Sequence, residues 1–259
     1  AALIGPSTKG PVEIPTIIGS FSEYTAVFGG SVESGSNLYS YFNSIAASNY
    51  FQNGGNSLLV TRVTSGSFSP AVSSTIATGS GGPTDGLSPF VLETISEGAI
   101  MNTGTTLLSG GALATGSSDN IRWEIAGVNT SSGTFSLLVR RGDDTTNSKV
   151  VVEQYNNLSL DPYSSNYISK VIGDVDHTLV NDGSDYYIQE SGSYANASRF
   201  IRVKQVNYNT PRYFDNTGTA KNEFTGSLPV VGSGSFNGAV GSNIPAGRAA
   251  NYYNNISSA

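Results

Sequence analysis

Few side chains in this sequence could move a proton, attack a bond or hold a metal. His177 is the single histidine and there is no cysteine, so a Ser-His-Asp triad could be built on His177 alone, and no Gly-x-Ser-x-Gly elbow accompanies it. Glu93, Glu97, Glu124 and Glu153 could supply the carboxylate pair of a glycoside hydrolase, but no spacing among them sets two across one cleft. Asp174 and Asp176, with Asp182 and Asp185 nearby, offer hard oxygen ligands for calcium. They lack EF-hand spacing and its glycine, and read better as solvated turns. Arg141-Gly142-Asp143 looks like an integrin tripeptide and Gly142-Asp143-Asp144 like a polymerase turn, yet both fall where a hairpin needs Gly and Asp to reverse the chain. No glycine-rich phosphate loop or dinucleotide fingerprint follows a strand and opens a helix. Trp123 and the 14 tyrosines could stack on sugars, but Trp123 sits in an alternating stretch whose aromatic residues pack inward. No catalytic residue, cofactor or metal ligand is expected.

Composition narrows the partners. The 259 residues carry 13 Lys+Arg against 19 Asp+Glu, a net charge of -6, which leaves no positive surplus for nucleic acid or an anionic membrane. Charged residues make up only 12% of the chain, about half the usual share, so Gly, Ser, Asn, Thr and Tyr carry the polarity and suit close protein contacts. No run of about 18 apolar residues and no signal-peptide pattern is present, so direct membrane insertion is not expected. The absence of cysteine leaves the redox compartment open. The chain begins in a strand-like stretch and stops in a Gly/Ser/Asn-rich one, and reads as a fragment.

The elements that must position these residues follow from periodicity. Residues 1–65 read as an α/β layer. Ala1 to Gly5 forms a short strand, and Gly5, Pro6, Gly10 and Pro11 impose a turn before a second strand at Val12 to Ile18. A helix is expected from Ser36, as N-cap, to Gln52, with Leu38, Phe42, Ile45 and Ala46 as its apolar face. Gly54 and Gly55 then make the left-handed ending and the turn into a buried strand at Leu58 to Val63. Residues 66–88 are Ser/Gly-rich and read as a connector. Residues 89–225 read as a β-rich unit with strands at Phe90 to Ile95, Asn120 to Val128, Thr134 to Arg141, Ser148 to Tyr155 and Phe200 to Val206. Within it, Asp161 as N-cap and Pro162 at the first helical position start a short helix carrying Tyr167 and Ile168. Residues 226–259, rich in Gly, Ser and Asn, contain too few large apolar residues for a core of their own. The fold class is α+β.

The order of several segments carries a resemblance. Gly5-Pro6-Ser7-Thr8-Lys9-Gly10-Pro11, Ser20-Phe21-Ser22-Glu23-Tyr24, Phe28-Gly29-Gly30, Asn53-Gly54-Gly55 and Leu58-Leu59-Val60-Thr61-Arg62-Val63 follow one another. Arg140-Arg141-Gly142-Asp143-Asp144, Val151 to Ser159, Asp161 to Ile168 and Tyr194 to Val203 come after them. Over roughly 200 residues this series is similar to the tail sheath proteins of contractile-tailed bacteriophages. The resemblance implies a mixed α/β sheath core domain with an inserted β-rich domain, an antiparallel sheet plus a short helix, exposed on the outside of a tube. It also implies an arm before Ala1 and a carboxy-terminal portion after the insert, segments that lace neighbouring subunits together by strand addition.

The function so implied is structural, not enzymatic. The subunit would polymerise into a helical homo-oligomer around the inner tail tube protein, between baseplate and tail terminator proteins, and contract to drive the tube through the host envelope. It would belong to the virion tail, assembled in the bacterial host cytoplasm. A sheath from a bacterial contractile injection particle is the near alternative, and a virion-borne carbohydrate-binding adhesin is the rival of another class.

Overall fold

The computed structural model describes residues 1–34, 37–102, 106, 108–114 and 116–241, and its class is α+β. The first unit contains strands β1 (Ala2–Gly5) and β2 (Thr16–Ile18), helix α1 (Phe21–Phe28), the hairpin β3 (Ser31–Ser34) and β4 (Asn37–Ser40), helix α2 (Phe42–Gln52), and strand β5 (Leu58–Arg62). β5 lies at the centre of a three-stranded sheet, parallel to β1 and antiparallel to β2. Strand alternation sends Leu58 and Val60 of β5, with Ile18 of β2, to one face, where Tyr24, Phe28 and Ala47 of the two helices bury them. Phe21, Tyr24 and Phe28 recur at helical spacing on α1. Its N-terminus is capped by Ser20 Oγ, which accepts from Glu23 N at 3.2 Å, while Glu23 Oε2 accepts from Gly19 N at 2.8 Å.

Helix α2 departs from expectation. It begins at Phe42, with Tyr41 as its cap residue and no side-chain cap bond. Leu38 lies in β4, where the backbone pairs Glu33 with Leu38 and Ser31 with Ser40. The expected cap Ser36 lies outside the described residues. Helical phase is the reason the expected face is wrong: Ser44, Ala47, Tyr50 and Phe51 turn toward the sheet. Phe42 and Ile45, expected to pack the helix, are 55% and 45% exposed instead. The helix ends as expected. Gly54 takes φ +86, and a Cβ on Gly55 would stand 2.2 Å from the Tyr50 ring, whose hydroxyl donates to Ser57 O at 2.8 Å.

The second unit contains strands β6 (Pro70–Ser73), β7 (Phe90–Glu97), β8 (Ile121–Asn129), β9 (Thr134–Arg141) and β10 (Val151–Ser159). They are followed by α3 (Ile168–Ile172), β11 (Asp176–Asn181), β12 (Tyr186–Ser191), β13 (Ile201–Val206), α4 (Asn222–Thr225) and β14 (Gly232–Asn237). Seven of these strands form one antiparallel sheet in the order β10-β9-β8-β14-β6-β7-β13, and β11 and β12 form a separate ribbon. α3 packs on both outermost strands, β10 and β13, so it draws the two ends of the sheet together over a core that includes Phe90, Phe135, Leu137, Ile168, Ile172, Val203 and Phe236.

Two segments read as linkers turn out to be structural. β6 falls inside the Ser/Gly-rich connector, with Ala71 and Ile76 buried in the core. β14 falls inside the Gly-rich tail and is the strand that joins β8 to β6. Its glycine is what Trp123 requires: a Cβ on Gly234 would lie 2.4 Å from the indole. Trp123 packs inward as expected, its Nε1 donating to Ser235 O at 3.2 Å.

Asp161 is not the cap of α3. Its carboxylate accepts from Tyr163 N and Arg212 N at 3.0 Å each, so Asp161-Pro162 forms a local turn and the helix starts at Ile168, with Tyr167 in the cap position. An Asx turn satisfies the same carboxylate that capping would use, and here the turn wins. Tyr167 is half-buried, its hydroxyl donating to Asn209 Oδ1 at 3.1 Å, and Ile168 is fully buried.

Candidate functional site

The glutamates that could do acid–base work are each engaged, Glu124 and Glu153 in separate places and Glu93 and Glu97 in one cleft. Glu124 on β8 accepts from Arg140 Nη1 and Lys149 Nζ at 2.7 Å each. Burial acts to raise its pKa, but the bonds from Lys149 and Arg140 outweigh it and hold the carboxyl below its ordinary range. Arg140 is buried and also binds Asp144, through Nε and Nη2 at 2.7 Å each, so Asp144 serves a buried ion network and not a solvent-facing polymerase-like turn. Arg141 and Asp143 pair with each other at the exposed turn, Nε to Oδ1 at 2.9 Å. Glu153 accepts from Ser198 Oγ at 2.5 Å, Arg199 N at 3.0 Å and Tyr155 Oη at 3.0 Å.

Glu93 and Glu97, four residues apart on β7, share a cleft of about 670 Å³ with Asp174, Asp176, His177 and Arg202. Glu93 is clamped by Arg202 Nη2 and Lys204 Nζ, both at 2.6 Å. Arg202 reaches Asp176 as well, at 3.0 Å. Burial pushes the Glu97 carboxyl up from its usual value, with Val12 N and the Arg62 charge opposing. Asp174 accepts from the backbone of Ser193 and Tyr194, and Asp182 from Ser184 and Asp185; backbone bonding draws the Asp182 carboxyl down. His177 lies exposed on the ribbon, 3.0 Å from Glu190. No group of three or more His, Asp or Glu side chains with metal-holding geometry occurs among the described residues. The cleft is an ion-paired seam between β7, β13 and the ribbon.

The less conventional surface lies on the first unit. Leu59 is paired with Ala2 on one side and Ile17 on the other, so these three, with Ile4, point to the face opposite the helices. Ile4 is 72% exposed, Ile17 71% and Leu59 39%. An antiparallel or mixed sheet normally turns polar residues to water on its open face. Here Ile17 and Leu59 stand side by side, with Ile4 diagonal to them beside Thr61. β1 and β2 are also the outer strands of this sheet, so each offers an unpaired backbone edge among the described residues. The uninterrupted apolar run Leu58-Leu59-Val60 carries the signal of a strand wanting cover on both faces.

The remaining expected positions are mainly architectural. Gly5 closes β1. Pro6 is half-buried and Pro11 buried. A Cβ on Gly10 would sit 2.5 Å from the Phe28 ring. No helix among the described residues is long and apolar enough to cross a membrane.

No protein-family model matches this chain, and no curated protein matches its sequence. Among solved structures the chain has a weak likeness to the sheath tail protein of Desulfitobacterium hafniense. The match has 11% identity and a TM-score of 0.27 over 78% of this chain and 34% of that one, so the chain spans about a third of that protein's length.

Proposed function

We propose that this chain is a structural subunit of a contractile tail sheath. The reading is carried by the small three-stranded sheet, whose two open edges and bare cluster of Ile4, Leu59 and Ile17 are surfaces that further polypeptide can cover. The ordered sequence segments support it, as does the engagement of Glu93, Glu124 and Glu153 by two or more donors each. Copies joined by heterologous contacts form an open helical array instead of a closed ring, and strands added at exposed edges tie neighbours together. Such an array surrounds the inner tail tube and, if assembled behind a kinetic barrier, releases energy as subunits rotate into tighter contacts. No nucleotide is required. Baseplate and terminator proteins would meet its two ends, in a virion tail assembled in the host cytoplasm or in a bacterial injection particle.

Negative-stain electron microscopy of the full-length protein tests this. Tubes or polysheaths are expected. Compact monomers or trimers that bind glycans would instead favour an adhesin, for which the exposed Tyr163, Tyr186 and Tyr187 would be the contact residues. Turnover of a glycan or peptide that disappears on changing Glu124 or His177 would replace the assembly reading with an enzymatic one.

A further inference from the structure

Connecting loops normally run over the surface, yet Ser7, Thr8, Lys9 and Gly10 are buried. They are enclosed between the two hydrophobic cores. On the side of the first unit, Lys9 N donates to Phe28 O at 3.1 Å and Thr8 Oγ1 to Gly30 O at 3.2 Å. On the side of the second, Gly10 N donates to Ser96 Oγ at 2.7 Å, Glu97 N to Gly10 O at 3.2 Å, and Lys9 Nζ lies 3.4 Å from Asp119. Arg62, the last residue of β5, runs through the same seam with no exposed surface. Its Nη1 donates both to Gly10 O and, at 2.9 Å, to Glu97 O, while its guanidinium lies over the Phe68 ring at 5.1 Å. Burial draws Lys9 down from its ordinary pKa against the pull of Asp119, and Arg62 down to about 10 against Glu97 and Tyr41.

Interfaces between domains of one chain are usually polar and permit relative motion. A seam crossed by two buried cations behaves differently, because opening it breaks charge-assisted hydrogen bonds that partly solvated neighbours cannot replace at intermediate separations. Slight opening is therefore the worst arrangement, and a stiff joint results. We propose that Arg62 and Lys9 are positioning residues that lock the three-stranded layer and the seven-stranded sheet into one rigid body, so that a displacement imposed on either unit is carried to the other without bending at the 63–69 connection. This property belongs to the single chain and does not depend on the assembly reading.

The lack of any cysteine makes the test clean. Spin labels on Asn49→Cys, exposed on α2, and Gln154→Cys, exposed on β10, report the distance between the units in the full chain by pulsed electron resonance. The otherwise unsubstituted protein should give one narrow distance distribution and one calorimetric transition. Arg62→Met should widen the distribution by roughly twofold or more and split the transition, as expected for units free to move. Arg62→Lys, which keeps one cationic donor, should recover part of the narrowing. If Arg62→Met does not fold, Lys9→Met puts the same question. A distribution that stays narrow in the substituted proteins, or one already broad without them, overturns the proposal.

Discussion

Phe28 and Phe42 have the same side chain and opposite situations. Phe28 is fully buried against Tyr24 and Gly10, whereas Phe42 is more than half exposed at the start of α2. Phe28→Ala should cost about 3–5 kcal/mol of unfolding free energy. Phe42→Ala should cost less than about 1 kcal/mol. Urea denaturation of both variants checks the pair, and equal losses would contradict the helical phase described above. Periodicity alone assigns Phe42 to the core because Leu38, Phe42 and Ile45 fit helical spacing, but Leu38 belongs to a strand and the helix has no side-chain cap to fix its start. Trp123 was legible for the opposite reason: it stands in an alternating run whose neighbours obey the same period.

Turns were more readable than helix starts. Gly54 and Gly55 end α2 where the sequence places them, since positive φ and a close approach to Tyr50 each leave little choice but glycine. Gly55→Ala should displace the Tyr50 ring, break its bond to Ser57 O and destabilise the fold by about 1–3 kcal/mol. Thermal melting measures the loss, and a crystal structure of the variant should find the ring moved. Ser20 and Glu23 carry a capping signature and Phe21, Tyr24 and Phe28 a helical stripe, yet periodicity does not disclose α1, because eight residues set directly after β2 are too few for the stripe to stand out. Asp161-Pro162 misleads because capping and an Asx turn ask for the same residues, and only the position of Arg212 N, supplied by a distant segment, decides between them. β6 and β14 were hidden by composition, since Gly and Ser weaken strand propensity and only tertiary neighbours such as Trp123 give those small residues a purpose.

At the scale of the molecule, the candidate cleft could not be read from spacing because Glu93 and Glu97 meet Arg202 only after β7 and β13 pair, and Asp176 only after the ribbon folds beside them. That meeting has a measurable consequence at Glu97. Its folded pKa is raised by burial above the ordinary 4.5, so its contribution to stability is fully present below that value and is lost as pH rises through the folded pKa. Glu97→Gln removes this loss. Its melting temperature relative to the parent chain should therefore increase between acid and neutral pH and converge below 4.5, which parallel thermal scans would check. The strand order of the larger sheet bears on time as well as on stability. β14 separates β8 from β6 yet is the last of the described strands along the chain. A ribosome delivers roughly 5–20 residues per second, so the earlier strands emerge seconds before the piece that unites them. During that interval β8 and β6 each hold a bare margin open to any passing strand. The nascent polypeptide is thus most at risk of mispairing just before residue 232 leaves the exit tunnel, and a chaperone that shields those margins would guard the step on which the whole larger sheet waits.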